Sequence, residues 1–98
     1  MITELREYVV REGAMDEFVQ VFNEQVVPLR RRFGFIVEGA WRDDKASRFV
    51  WVVSHPAPDG WEAALAPYLE TRATEVDPDP GSFLTEVKTS FVADAGSG

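Results

Sequence analysis

One side chain in this sequence changes charge near neutrality without help: His55, the single histidine among 98 residues. It closes the apolar run Phe49-Val50-Trp51-Val52-Val53-Ser54 and stands just before Pro56. Placed at the end of a strand, on the side shared by Trp51 and Val53, it would face a space between sheet and helices. From there it could take a proton from a phenol or an acidic carbon, or hydrogen-bond a bound carbonyl. The plainer reading is a partly exposed histidine that ends a strand. Tyr68 is its candidate assistant, because a buried phenol hydroxyl must find a partner. Trp41, Trp51 and Trp61, with Phe22, could wall a flat pocket for an aromatic or polyketide-like ligand. Aromatic residues at such spacing are more often simply core.

Other constellations carry less. Glu4, Arg6, Glu38 and Arg42 could serve as acid and base groups in a cavity, but ion pairs between strands or subunits suit them better. A carboxylate kept beside arginine is held ionised and donates protons poorly. Arg30-Arg31-Arg32 suggests an anion site, yet the run falls at a helix C-terminus, whose dipole repels anions. Solvated caps for that end are the expectation. Ser47, Ser54, Ser82 and Ser90 have one histidine to share and no nucleophile-elbow context, which argues against a serine hydrolase. No phosphate-cradling glycine loop or dinucleotide fingerprint is present.

Composition narrows the field further. There is no cysteine, so disulfides, thiolate metal sites and cysteine nucleophiles are excluded. With one histidine, a histidine-rich metal cluster within one chain is excluded too, and no cofactor is implied. The formal charge of −7 argues against a nucleic-acid partner, which selects a basic face. No segment approaches the ~20 apolar residues of a membrane span. Charges at Glu4 and Arg6 sit where a signal peptide needs an apolar run, so the cytoplasm is the expected compartment.

The elements that must position these side chains follow the order β-α-β-β-α-β. Ile2 to Val10 reads as a strand, turned by Glu12-Gly13. From Met15 the period changes: Met15, Phe18, Phe22, Val26, Leu29 and Phe33 form the stripe of an amphipathic helix. Gly34 stands where a left-handed C-terminal cap belongs, and Pro28 predicts a kink or restart near Val27. Phe35 to Arg42 and Arg48 to Ser54, joined by Asp43-Asp44-Lys45, form an antiparallel hairpin. After an extended His55-Pro56-Ala57-Pro58 linker, Asp59 and Glu62 resemble a capping box opening a second helix, with Pro67 predicting another kink. A turn-rich stretch, Asp77 to Gly81, leads to a last strand from Phe83 to Val92. One domain over 1–93 with a disordered tail over 94–98 is the expected organisation.

Right-handed crossovers put both helices on one face of a four-stranded antiparallel sheet. Alternation assigns Phe49, Trp51, Val53 and His55, with Phe35, Val37, Gly39 and Trp41, and with Phe83, Val87 and Phe91, to the face under the helices. The other face would carry Ile2, Tyr8, Val10, Ile36, Ala40, Val50, Val52, Leu84 and Val92 among charges of both signs. Soluble monomers rarely expose such an apolar patch, and a two-fold partner would bury it. A homodimer through the sheet face is therefore expected.

Glu4-Leu5-Arg6 with Tyr8, then Gly13 and Phe18, resembles the opening of NIPSNAP-like proteins. Gly34, Gly39 and Trp41, then Phe49 to Val53, continue the resemblance, and Asp77 to Phe83 is similar as well. Glu12 stands where that family would place a proline. The resemblance implies an α+β, ferredoxin-like domain that pairs into a dimeric α/β barrel. That superfamily includes cofactor-independent monooxygenases, polyketide cyclases, haem-degrading enzymes and chlorite dismutase-like proteins. The NIPSNAP branch carries no general activity over. A small-molecule-binding homodimer is the function implied, as a monooxygenase-like or cyclase-like enzyme or as a non-catalytic binding or assembly module.

Overall fold

The computed structural model describes residues 1–96. Strand β1 spans Ile2–Val10, and the first helical stretch is α1, Met15–Val21, a wide π-helical turn, Phe22–Val26, and α2, Val27–Arg32. Strands β2 (Ile36–Asp43) and β3 (Arg48–His55) follow, then α3 (Trp61–Glu75), a 3-10 turn at Pro80–Phe83, and β4 (Leu84–Val92). Every strand pairing is antiparallel, in the order β2-β3-β1-β4. This is the ferredoxin-like β-α-β-β-α-β arrangement, with the helices on one face of the sheet. No helix of the described residues is long and apolar enough to cross a membrane. Residues 97–98, the end of the tail expected to be disordered, lie outside the described residues.

The restart foreseen at Pro28 takes the form of the wide turn. Proline has no N–H to return to the carbonyl four residues back. The chain widens before it, and the Val27 N–H donates to Phe22 O, five residues back. At the far end, Gly34 at φ +85° turns the chain, with its N–H on Arg31 O at 3.0 Å. The second helix begins differently from the sequence expectation. No side chain caps it; Gly60, at φ +99°, precedes Trp61, and the Asp59 and Glu62 box does not form. Pro67 is exposed and lies inside a helix that continues to Glu75.

Three facing assignments change, each for a reason visible in the register. Cross-strand partners share a face in an antiparallel sheet. Glu4, Arg6 and Tyr8 pair with Val53, Trp51 and Phe49, which places them on the helix side with Val10, not on the open face. Tyr8 and Val10 are core and Glu4 is buried. A bulge at Glu38 breaks the alternation of β2: Val37 pairs with Val53, but Gly39 pairs with Val52 and Trp41 with Val50. Trp41 is thereby turned to the open face, 60% exposed, while Ala40 and Arg42 move to the helix side. A second irregularity, at Val9 and Val10, pairs Val10 with Leu84 and brings Leu84 to the helix side.

The core is an aromatic stack between sheet and helices. Phe49 meets Phe18 and Phe22 edge-on, at 5.0 and 4.8 Å between ring centres, and Phe22 meets Trp51 at 5.0 Å. Such contacts contribute roughly 0.5–1.5 kcal/mol each beyond simple burial. The opposite face, with Leu5, Val9, Ile36, Trp41, Val50 and Val52, is covered by no helix of the described residues, and the molecule is only 19 Å through its thin direction.

Candidate functional site

The unusual residue of the interior is Arg30. It ends a run at four-residue steps, Phe18, Phe22, Val26 and Arg30, along the inward side of the interrupted helix. The wide turn adds one residue of phase, so that Val27, Leu29 and Arg30 all become buried in α2. Arg30 is 2% exposed, whereas Arg31 and Arg32 are solvated. The expectation of three solvated caps therefore holds for two of the three. Its guanidinium carbon lies 4.2 Å from the Tyr68 ring centre, 4.8 Å from Phe35 and 5.1 Å from Trp51. Aromatic faces attract a cation, yet they do not replace hydrogen bonds to its N–H groups. Arg30 Nε and Nη1 are buried without a partner among the described residues, and so is Tyr68 Oη. Burial pushes the Arg30 pKa down; Tyr68 opposes this and the nearby Arg6 charge adds to it. A guanidinium starts so high that it stays charged all the same.

A second polar group completes the site from the sheet. Arg6 Nε donates to Tyr8 Oη at 2.7 Å, and Arg6 Nη1 donates to Glu4 Oε1 at 2.8 Å. Trp51 Nε1 donates to the same Tyr8 oxygen at 2.9 Å. Burial works against the Arg6 charge, but Tyr8 and Glu4 together outweigh it and its pKa is raised. With both lone pairs of its oxygen engaged, Tyr8 keeps its O–H as a donor for something else.

These groups surround a cavity of about 150 Å³ between sheet and helices, lined by Arg6, Tyr8, Phe22, Arg30, Trp51 and Tyr68 among others. Arg72 of α3 joins the lining, and Leu84 and Val87 of β4 bound another side. Among the described residues, three arginines thus border the cavity and no carboxylate does. Glu4, beside Arg6 on the sheet, is already bonded to it. Flat aromatic walls with convergent N–H and O–H donors suit a planar ligand bearing an oxygen acceptor.

Of the residues singled out in the sequence, Tyr68, Trp51 and Phe22 line this cavity together. His55 does not. Its Nδ1 accepts from the Ala57 N–H at 2.8 Å, which leaves Nε2 to carry the proton and donate to Phe33 O at 2.9 Å. Both ring nitrogens hold loops in place, beside a separate shallow depression that includes Pro58 and Gly60. Trp61 is buried elsewhere, edge-on to Phe35 at 5.4 Å and to Phe91 at 5.6 Å. Trp41 is on the other side of the sheet. Arg42 is an exposed cation bonded to Asp16 and Asp44, not a cavity group. Arg30, set aside above as a solvated cap, and Tyr8, assigned above to the open face, both belong to the site; the four-step run from Phe18 was the available signal for the first.

No family model matches this chain, and no curated protein does either. Solved structures do. A protein from Agrobacterium tumefaciens superposes with a TM-score of 0.83 at 14% identity, over 97% of this chain and 94% of that one. A NIPSNAP family protein from the same organism gives 0.79 at 17% identity, covering 95% and 84%. An antibiotic biosynthesis monooxygenase gives 0.71 at 17% identity, covering 98% and 100%. The fold read from the sequence, ferredoxin-like and similar to NIPSNAP proteins, is the fold these structures share.

Proposed function

We propose that this chain is a homodimeric small-molecule-binding protein of the NIPSNAP-like dimeric α/β-barrel type, acting in the cytoplasm and holding a flat aromatic or polyketide-like ligand between its sheet and helices. The observation that carries the reading is the cavity. It is walled by Phe22 and Trp51 and served by unpartnered donors on Arg30 and Tyr68. A volume of about this size has room for a benzene ring.

Where the cavity does chemistry, that chemistry is of the cofactor-independent kind, monooxygenase-like or cyclase-like. Its residues are cations and phenols, suited to stabilising a developing oxyanion rather than to removing a proton. Tyr68 is the residue proposed to touch the reacting ligand, with Arg30 holding charge beside it. His55, with both nitrogens bonded to backbone, is left a positioning role for its loop. The alternative, a non-catalytic binding or assembly module, is favoured by one observation: no carboxylate or histidine among the described residues lines the cavity.

The homodimer is proposed through the open sheet face, where Val50 and Val52 sit between Trp41 and Leu5. Leaving such a face in water is unfavourable, and a two-fold copy would cover it. Native mass spectrometry of freshly purified protein, set against the denatured mass, tests both halves. A dimer carrying extra mass supports the pocket and delivers its ligand for identification. A bare dimer supports the assembly reading, and a monomer at micromolar concentration defeats the dimer.

A further inference from the structure

We propose that the ligand of this cavity is a small aromatic carboxylate, its carboxylate held by Arg30 with Tyr68 and its ring against Phe22 and Trp51. The inference rests on reading the cavity as a ligand site and adds the charge of the occupant.

The argument begins with Arg30. A guanidinium removed from water needs an opposite charge and hydrogen-bond acceptors, and lacking either is strongly unfavourable. Arg30 is 98% buried by the measure of its 2% exposure, and two of its nitrogens have no acceptor among the described residues. The other buried charges are matched: Glu4 and Arg6 bond each other at 2.8 Å. Charge balance at the cavity is therefore one-sided, with Arg30 and Arg72 on its walls beside the matched Arg6, in a protein of net charge −7. A neutral occupant would leave Arg30 uncompensated. A carboxylate can accept two parallel N–H bonds from one guanidinium and a further O–H bond from a phenol. Tyr68 Oη, buried and unpartnered, supplies that phenol. The aromatic walls, Phe18, Phe22 and Trp51, suit a ring. A compact inorganic anion would satisfy Arg30 but leave these walls unfilled.

Isothermal titration calorimetry with three probes decides the matter: benzoate, its uncharged counterpart benzamide, and inorganic phosphate. Benzoate is expected to bind, with benzamide and phosphate each at least about tenfold weaker. Arg30→Met should weaken benzoate by about tenfold or more, Arg30→Lys less, and Tyr68→Phe by several-fold. Far-UV circular dichroism confirms that each variant is folded, and the near-isosteric Tyr68→Phe keeps the test open if Arg30→Met is not. Equal binding of benzoate and benzamide would overturn the anion inference while the cavity reading stood. Phosphate binding as tightly as benzoate would overturn the aromatic part. Failure of all three probes up to about 10 mM would overturn the inference, while the cavity reading stands or falls on the extra mass seen in the native spectrum.

Discussion

The guanidinium of Arg30 lies 4.2 Å from the centre of the Tyr68 ring, and each of the two side chains keeps buried polar atoms that nothing in the described chain satisfies. The contact joins the end of α2 to the middle of α3, so the fold's own packing holds an uncompensated charge and a free hydroxyl together. Interiors close around polar groups only when these are paired or put to use.

Arg30 is therefore expected to cost the protein stability. Burial lowers its pKa, which means that its charge is less favourable folded than unfolded at every pH below the guanidinium range. Arg30→Met, which keeps much of the volume and drops the charge, should leave stability unchanged or raise it by up to about 1–4 kcal/mol. Urea unfolding of the ligand-free protein measures this. A clear loss of stability in Arg30→Met would show that the charge has a partner.

His55→Ala should lose about 1–3 kcal/mol, because it strands the Ala57 N–H and the Phe33 carbonyl that the imidazole joins. Ligand affinity at the cavity should not move. Any turnover of a confirmed substrate should survive as well, and a collapse of turnover at unchanged stability would return His55 to the chemistry.

Gly34 occupies a left-handed turn, and a Cβ there would stand 3.1 Å from His55 Nε2. Gly34→Ala combines backbone strain with pressure on that imidazole and should destabilise by about 1–2 kcal/mol. Thermal melts of Gly34→Ala and of Gly34→Ala with His55→Ala separate the contributions. Relief in the double variant identifies the imidazole contact, and strict additivity refutes it.

Val52 sits near the middle of the open sheet face. Val52→Glu should turn the proposed dimer into a monomer without altering far-UV circular dichroism. Sedimentation equilibrium reads the result, and a variant that stays dimeric would place the interface elsewhere.

The element order and strand ends were legible because alternation and helical spacing run cleanly through most of the chain. Phe49, Trp51 and Val53 are inside as their alternation requires. Facing failed where the backbone inserts a residue. The bulge at Glu38 reverses Trp41. In β1 both faces carry apolar and charged groups, so pattern alone could not choose between Leu5 and Tyr8. Only the pairing of Tyr8 with Phe49 settles it. Arg30 was hidden for a related reason. Proline-driven widening of the helix advances its phase by one residue, and a basic triplet at a helix end ordinarily means solvent. His55 drew attention by its chemistry, but two backbone partners separated by loops decide its role, and no sequence spacing encodes them.

The three tryptophans have been sent to three different places: Trp41 out on the bare sheet face, Trp51 against the arginines of the cavity, and Trp61 into the packing at the head of α3. They are therefore separate optical channels built into one small protein. A water-borne quencher such as acrylamide reaches Trp41 first, and covering the sheet face would shield it and shift its emission to the blue. An occupant beside Trp51 would change a second, well-shielded component. Trp61 should stay constant through both, an internal standard against which assembly and filling can be followed in the same cuvette.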